Sequence, residues 1–414
     1  MRSMSKKGLA AVAVSALTFG LLAAGNVSAH ADVAPNGNDI VGVGSDTLQY
    51  MLDFGADGDF AGHSGYNINK SSRLVSFDAT PDANARAGYL NGSTSGSLKA
   101  LNPTIVLRAG TPPVQRPNGS GAGFNAFALD SGNTINFVRS SSAETSGQVT
   151  QASNGPIGHT HEVRLGTESL ALATAQTTNA PALSKAQLMS IYQCLTGFTH
   201  WNDPGVGGTS ADTIIPVIPQ LGSGTRKSFL TDIGFTVNSD GSSTPALGGC
   251  VKTDEENNPY SLYLDSSGNP IANPYANSAV PNPDAIAPFS GGRLNLYAAG
   301  YFQNPNVTFG NPPASGDQGV LHPLVKLSNT GTPSDGGSVY NDVRGLYVIF
   351  RESDVTSTAH FNGSAKNWVN TLFYATSGTP FFKGPAGQAL LASAGITPSY
   401  ANCGMDSASA STCV

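Results

Sequence analysis

Pro216–Leu230 reads PVIPQLGSGTRKSFL. Ile214, Ile215, Val217 and Ile218 run into a turn of small residues, Gly222-Ser223-Gly224-Thr225, and a segment able to form helix follows from Arg226. A strand, a glycine and hydroxyl turn, and a helix in that order present backbone N–H groups, two hydroxyls and a guanidinium at a helix N-terminus. Such an end carries roughly half a positive charge and up to about four unpaired donors, which suits an anion. An ordinary strand–turn–helix, with Ser223 as a plain N-cap, looks the same. The rest of the chain has to decide.

Three similar units lie upstream. Asp39–Val43 (DIVGV) ends at Gly44-Ser45-Asp46-Thr47 and enters LQYMLDF, where Leu48, Met51 and Leu52 share a helical face and Ser45 is the natural N-cap. Thr104–Arg108 is strand-like, and Gly119-Ser120-Gly121-Ala122-Gly123 leads into FNAFAL. Thr134–Val138 ends at Arg139-Ser140-Ser141-Ser142. Such turns, on strands that alternate with helical patterns, suggest α/β sheets with ligand loops gathered at the carboxyl ends of the strands. Further along, Glu162–Thr174 reads as a crossover strand and Val343–Phe350 as another strand. Ser184–Cys194 reads as a helix capped by Ser184, with Leu188, Ile191 and Tyr192 inward; Ser364–Tyr374 and Gly387–Ser393 read as closing helices. Residues 55–100 and 236–283 read as polar, loop-rich surface excursions. His159-Thr160-His161 reads as surface loop, because a lone pair of histidines lacks a third metal ligand.

Bulk properties narrow the classes. Arg2, Lys6 and Lys7 precede an apolar stretch, Leu9–Ala24, and Ala29-His30-Ala31 offers a small-x-small cleavage site. This reads as a signal peptide cleaved near Ala31, giving a secreted chain; no cysteine near that point marks a lipoprotein anchor. Removing those three cations takes the formal charge from −6 to −9. An acidic chain without a basic run is a poor nucleic-acid binder, so any bound anion must be held by local donors. Cys194, Cys250, Cys403 and Cys413 read as two disulfides; three pairings are possible, and nearness in the chain favours Cys194–Cys250 with Cys403–Cys413. There is no CxxC, no G-x-S-x-G, and no Gly before Lys227-Ser228 to complete a nucleotide loop. Metal: none expected; cofactor: none expected.

Taken in order, the segments resemble the phosphate-binding proteins of ABC transporters, within the two-lobed type II periplasmic binding fold. GSDTL (44–48), GSGAGFNAF (119–127), INFVRSSSAE (135–144) and VIPQLGSGTRKSF (217–229) are similar to that family's four ligand loops. LSKAQLMSIYQCLTGFTHWND (183–203) resembles the start of its second lobe, RGLYVIFR (344–351) the return to the first, and GPAGQALLASAGITP (384–398) the closing helix. A weak echo of its aromatic strand lies at 285–297.

The resemblance implies an α/β fold of two lobes on a two-strand hinge: lobe 1 as 32–168 with 344–414, lobe 2 as 169–343. It implies phosphate, or a related tetrahedral oxyanion, held by Ser45, Asp46, Thr47 and Leu48, by Ser120 and Gly121, by Arg139 and Ser140, and by Ser223, Gly224, Thr225 and Arg226. It also implies a monomer with an ABC-transporter permease as partner. Two positions depart from the family. Pro219 stands where many relatives carry an Arg, leaving Arg226 to supply charge; Asn136 and Ser141 stand where a third-loop carboxylate accepts the proton of HPO₄²⁻, leaving Asp46 as substitute acceptor. A secreted phosphoester-acting enzyme, or an extracellular structural or adhesion protein with an inert cleft, remain the alternative readings.

Overall fold

The structure is a computed structural model and describes residues 34–59, 61–79, 104–238, 241–272, 274, 278–298, 324–327, 331–356, 367–408 and 413. The expected signal peptide, the far half of the 55–100 excursion and the start of the expected 364–374 helix lie outside these residues.

The chain runs β1 (Ile40–Gly44), α1 (Gln49–Asp57), β2 (Leu74–Ser76), a small hairpin of β3 (Thr104–Ile105) and β4 (Val114–Gln115), α2 (Ser120–Ala128), β5 (Phe137–Ser140) and α3 (Ser146–Ser153). There follow β6 (Thr160–Thr174), α4 (Lys185–Tyr192), β7 (Ile215–Pro219), α5 (Gly224–Asp232), a second hairpin of β8 (Thr236–Val237) and β9 (Ser243–Thr244), and β10 (Lys252–Asp254). The last part holds β11 (Ala285–Ser290), α6 (Gly291–Ala298), β12 (Val325–Lys326), β13 (Asp342–Arg351), α7 (Glu352–Thr356), α8 (Trp368–Leu372), α9 (Pro385–Ser393) and β14 (Thr397–Met405).

Two parallel half-sheets meet on a pair of long antiparallel strands. The strand order is β10-β7-β11-β6-β13-β5-β1-β2. β2, β1 and β5 are mutually parallel, as are β10, β7 and β11. β6 and β13 run through both halves. On one side β6 pairs with β14 from His161 to Thr167 and then with β11 from Leu170 to Ala173. Their mutual ladder spans Thr160 to Leu170, with a register shift between Leu346 and Tyr347. This is the two-strand hinge: β13 borders the first half-sheet through β5, β6 borders the second through β11, and the two long strands pair with each other between them.

Each half-sheet is buried on both faces, as parallel sheets require. Ile40, Phe137, Val348 and Phe350 enter one core with α1, α8 and α9, while their neighbours Val41, Val138 and Ile349 enter another with Phe124 and Phe127 of α2. In the second half Val217, Ala285, Ala287 and Phe289 face Tyr260 and Tyr297, and Ile218 and Ile286 face α4 and α5 through Leu188, Tyr192 and Phe229. This period-two alternation explains why the strands were legible. Trp201 is fully buried and donates from its indole to Asp284 Oδ1 at 3.0 Å.

The caps and termini refine the sequence reading. Ser184 caps α4 as the sequence suggests, and Gln187 completes a reciprocal capping box with it. Ser223 caps α5, its hydroxyl accepting from the Arg226 amide. Ser45 does not cap α1: the N-cap is Leu48, with no side-chain bond, because the Ser45 amide is pulled back onto the Arg139 carbonyl at 3.0 Å. The strand expected over 104–108 shrinks to two residues, paired among the described residues with the short β4. His159-Thr160-His161 is not all surface loop. Thr160 and His161 begin β6, and His161 is buried between Glu352 at 2.6 Å and Asn402 at 2.8 Å. Both disulfides, Cys194–Cys250 and Cys403–Cys413, pair as chain proximity suggests. The first closes a separation of 56 residues, a loop size for which the chain-entropy model gives about 4 kcal/mol.

Candidate functional site: a buried junction of hydroxyls, guanidiniums and carboxylates

The carboxyl ends of β1, β5, β7, β10 and β11 all point to one region between the half-sheets. Here the loops interlock. The Gly121 amide donates to the Gly222 carbonyl at 3.0 Å, so the second and fourth loops are bonded backbone to backbone. Gly119 has φ +97°, and a Cβ there would lie 2.5 Å from the Gly222 carbonyl oxygen. That position therefore excludes other residues twice, by conformation and by contact. Gly224 is pressed against the Ser120 and Ser141 hydroxyls, which lie 3.2 Å apart.

At the centre, Thr47 Oγ1 and Thr225 Oγ1, from opposite halves, are 3.3 Å apart. Arg344, on β13, places Nη2 2.9 Å from Thr225 Oγ1 and 3.3 Å from Thr47 Oγ1. The same guanidinium pairs with Glu168 of β6 through Nε and Nη2, at 2.9 and 2.6 Å. Glu168 in turn accepts from the Ser290 hydroxyl and, at 3.3 Å, from the Gly292 amide at the start of α6. Arg293 sits over Tyr50, its Cζ 3.7 Å from the ring centroid, and pairs with Asp46 Oδ2 at 3.2 Å. Ser45 Oγ and Arg344 Nη1 are buried here without a hydrogen-bond partner among the described residues. A buried donor left unpaired costs about 1–3 kcal/mol, so such atoms mark where a ligand is repaid.

A carboxylate from the 236–283 segment enters the same junction. Glu256 Oε1 accepts from both Thr47 Oγ1 and Thr225 Oγ1, each at 2.7 Å. Its amide is held by Gln220 Oε1 at 2.7 Å, and Asn257 Nδ2 reaches Asp46 and Thr47, both at 3.2 Å. Burial, then the nearby Asp46 charge, pushes the Glu256 carboxyl above its ordinary range.

The residues named from sequence fall into three groups. Ser45, Asp46, Thr47, Ser120, Gly224 and Thr225 are brought to the junction, although Asp46 is committed to Arg293 and Asn257. Leu48 puts its side chain in the core, and Ser223 is the α5 cap. Arg139, Ser140, Gly121 and Arg226 spend their donors elsewhere. Arg139 lies beneath the first loop, bonding the Ser45, Gly44 and Phe77 carbonyls and the Ser76 hydroxyl. Ser140 Oγ closes its own turn onto the Ser142 carbonyl at 2.5 Å. Arg226 turns back to the Pro219 carbonyl at 3.0 Å, and burial lowers its pKa to about 10.

Arg344, Glu256, Asn257, Arg293 and Glu168 were not singled out in advance. Arg344 carried a usable signal, a cation opening the otherwise apolar run RGLYVIF. Among the described residues one group of three offers metal-type ligands close together, Glu162 with Cys403 and Cys413, and its two sulfurs are joined as a disulfide.

A family model described as the PBP superfamily domain matches residues 79–296, more than half of the 414-residue chain. The chain belongs to the PBP superfamily, with the type II arrangement of two α/β lobes on two connecting strands. Among solved structures it is similar to a substrate-binding protein of Clostridium perfringens assigned to a phosphate ABC transporter, with bound phosphate. Identity is 16%, the TM-score is 0.48, and the match covers 87% of this chain and 100% of that one. It is also similar to an ABC-type phosphate transport receptor of Vibrio cholerae, at 15% identity, a TM-score of 0.46, and 87% and 100% coverage. No curated protein matches the chain. Among the described residues no helix is long and apolar enough to cross a membrane.

Proposed function

We propose that this is an exported solute-binding protein that captures inorganic phosphate, or a similar tetrahedral oxyanion, between its two lobes. The observation that carries the reading is the meeting of Thr47 and Thr225 across the lobes with Arg344 Nη2 on both hydroxyls. Ser45 Oγ and Arg344 Nη1 supply further buried hydrogen-bonding capacity at the same place. Ser120 and Ser141 lie alongside through Gly224. Micromolar capture corresponds to about 8 kcal/mol, and hydrogen bonds to a charged group contribute about 1.5–3 kcal/mol each. About four or five such donors suffice.

The lobes of this reading are 32–168 with 344–414, and 169–343. Rotation on β6 and β13 would part Thr47 from Thr225, admit the anion, and close over it. The work is binding, without covalent chemistry, and delivery to an ABC-transporter permease is its natural sequel. Export rests on the basic and apolar leader ending near Ala31. The test is calorimetry of the purified chain, stripped of carried-over ligand, against phosphate, arsenate, phosphite, sulfate and molybdate. Heat with at least one anion, lost in Arg344→Met, is expected; silence with all five would sink the reading.

A further inference from the structure

The junction described above is already occupied by charge. Glu256 Oε1 takes the hydroxyl protons of Thr47 and Thr225, one from each lobe, at the spacing an anion's oxygen would use. Glu256 is fully buried, and its segment is tethered to both lobes: Asn118 Nδ2 of the first lobe reaches Glu255 Oε1 at 3.4 Å, and Gln220 Oε1 of the second accepts from the Glu256 amide at 2.7 Å. We propose that Glu256 is a resident competitor for the oxyanion cleft, holding the shared hydroxyls of the two lobes until it is neutralised or displaced by the incoming anion. This rests on the oxyanion reading of the same junction and adds what controls it.

The local charges favour this role. The charged groups facing Glu256 are Asp46 from the loop after β1 and Arg344 from β13, and Asp254 and Glu255 are its buried neighbours in the chain. One step further out stand Glu168 on β6 and Arg293 on α6. Arg344 and Arg293 are each already paired with a carboxylate, so a second anion arriving beside an ionised Glu256 meets net repulsion. Protonation from solvent removes that repulsion, and burial already favours the neutral form. A neutral carboxyl can also donate its proton to the anion in place of competing for donors.

The experiment uses sulfate, whose own charge stays constant across the working range, with the full chain and Glu256→Gln. Glutamine keeps the shape and can still accept from Thr47 and Thr225. In the wild type, sulfate affinity is expected to rise by at least about tenfold as pH falls from about 8 to about 5, because the titrating carboxylate is lost. Glu256→Gln is expected to bind sulfate at least about tenfold more tightly than wild type at about pH 8, and with little pH dependence. Equal affinities and parallel pH profiles would overturn the competitor role while leaving the cleft standing. Weaker binding by Glu256→Gln would also overturn it, by making the carboxylate an attractive contact. If neither chain binds any of the five oxyanions at any pH, the cleft reading itself falls and takes this proposal with it. Circular dichroism of both chains separates these outcomes from unfolding.

Discussion

Two loops leave adjacent parallel strands and end 2.7 Å apart, yet they look unlike in sequence. The turn after β7, GSGTR, is small, hydroxylated and followed by a cation; the segment after β10, Glu255-Glu256-Asn257, is acidic and sits in a polar, loop-rich stretch. The first has the chemistry of an anion site and the second has the chemistry of a solvated surface. Both are buried in the same junction. The difference teaches that strand order, not local composition, selects which residues face a cleft. The β7 turn supplies donors, but the β10 turn sets the field in which those donors work. The cations follow the same rule. Arg226, inside the motif, turns away to the Pro219 carbonyl, while Arg344, distant in sequence, reaches both threonines.

The largest expected effect separates those two cations. Arg344→Ala strands the buried Glu168 carboxylate and should lower the unfolding free energy by about 3–5 kcal/mol while abolishing oxyanion binding. Arg226→Ala loses one bond to a carbonyl, about 1–3 kcal/mol, and should leave most of the affinity intact. Denaturant unfolding and calorimetry on both variants check the pair. Equal loss of binding would restore Arg226 to the site.

A second effect distinguishes the cleft carboxylate from two others behind the third loop. Burial raises Glu144 to about 8 and Glu162 to about 7, from an ordinary 4.5. Between about pH 4.5 and about pH 8 the folded chain therefore keeps protons that the unfolded chain has shed. Stability should fall as pH rises through that window. Glu162→Gln should flatten this slope in unfolding experiments without giving sulfate binding the pH independence expected of Glu256→Gln. A wild-type stability that climbs from pH 5 to pH 8 would contradict the assignment.

The smallest effect compares two serines that look alike in sequence. Ser223→Ala removes the α5 cap and should cost about 1 kcal/mol in thermal or denaturant unfolding. Ser45→Ala removes a hydroxyl with no partner among the described residues, so stability should hold while oxyanion affinity drops.

Much of the architecture was legible because period-two burial and turn chemistry are local properties. Ile40–Gly44, Ile215–Pro219 and Asp342–Arg351 sit close to where alternation and β-branching place them, and Ser184 caps α4 as expected. The junction was legible in the sequence only through its hydroxyls. Ser45, Thr47, Ser120 and Thr225 reach the junction because each follows a strand end that the sequence marks. The guanidiniums of Arg139 and Arg226 take other partners, because a long flexible side chain can reach any acceptor within several ångströms. Arg139 and Arg226 found carbonyls nearby, and nothing in their spacing forecasts it.

By itself, then, GSGTRKSF marked a strand meeting a helix through a turn able to hold an anion, three similar turns pointed to α/β sheets, and the resemblance of eight ordered segments implied the periplasmic-binding class. Tertiary structure alone decided which charges share that turn's surroundings. Glu256 and Arg344 are separated from Thr225 by 31 and 119 residues, yet hydrogen-bond its hydroxyl. Electrostatic balance in a buried site depends on distances through space, which the order of residues along the chain does not encode until the sheet has closed.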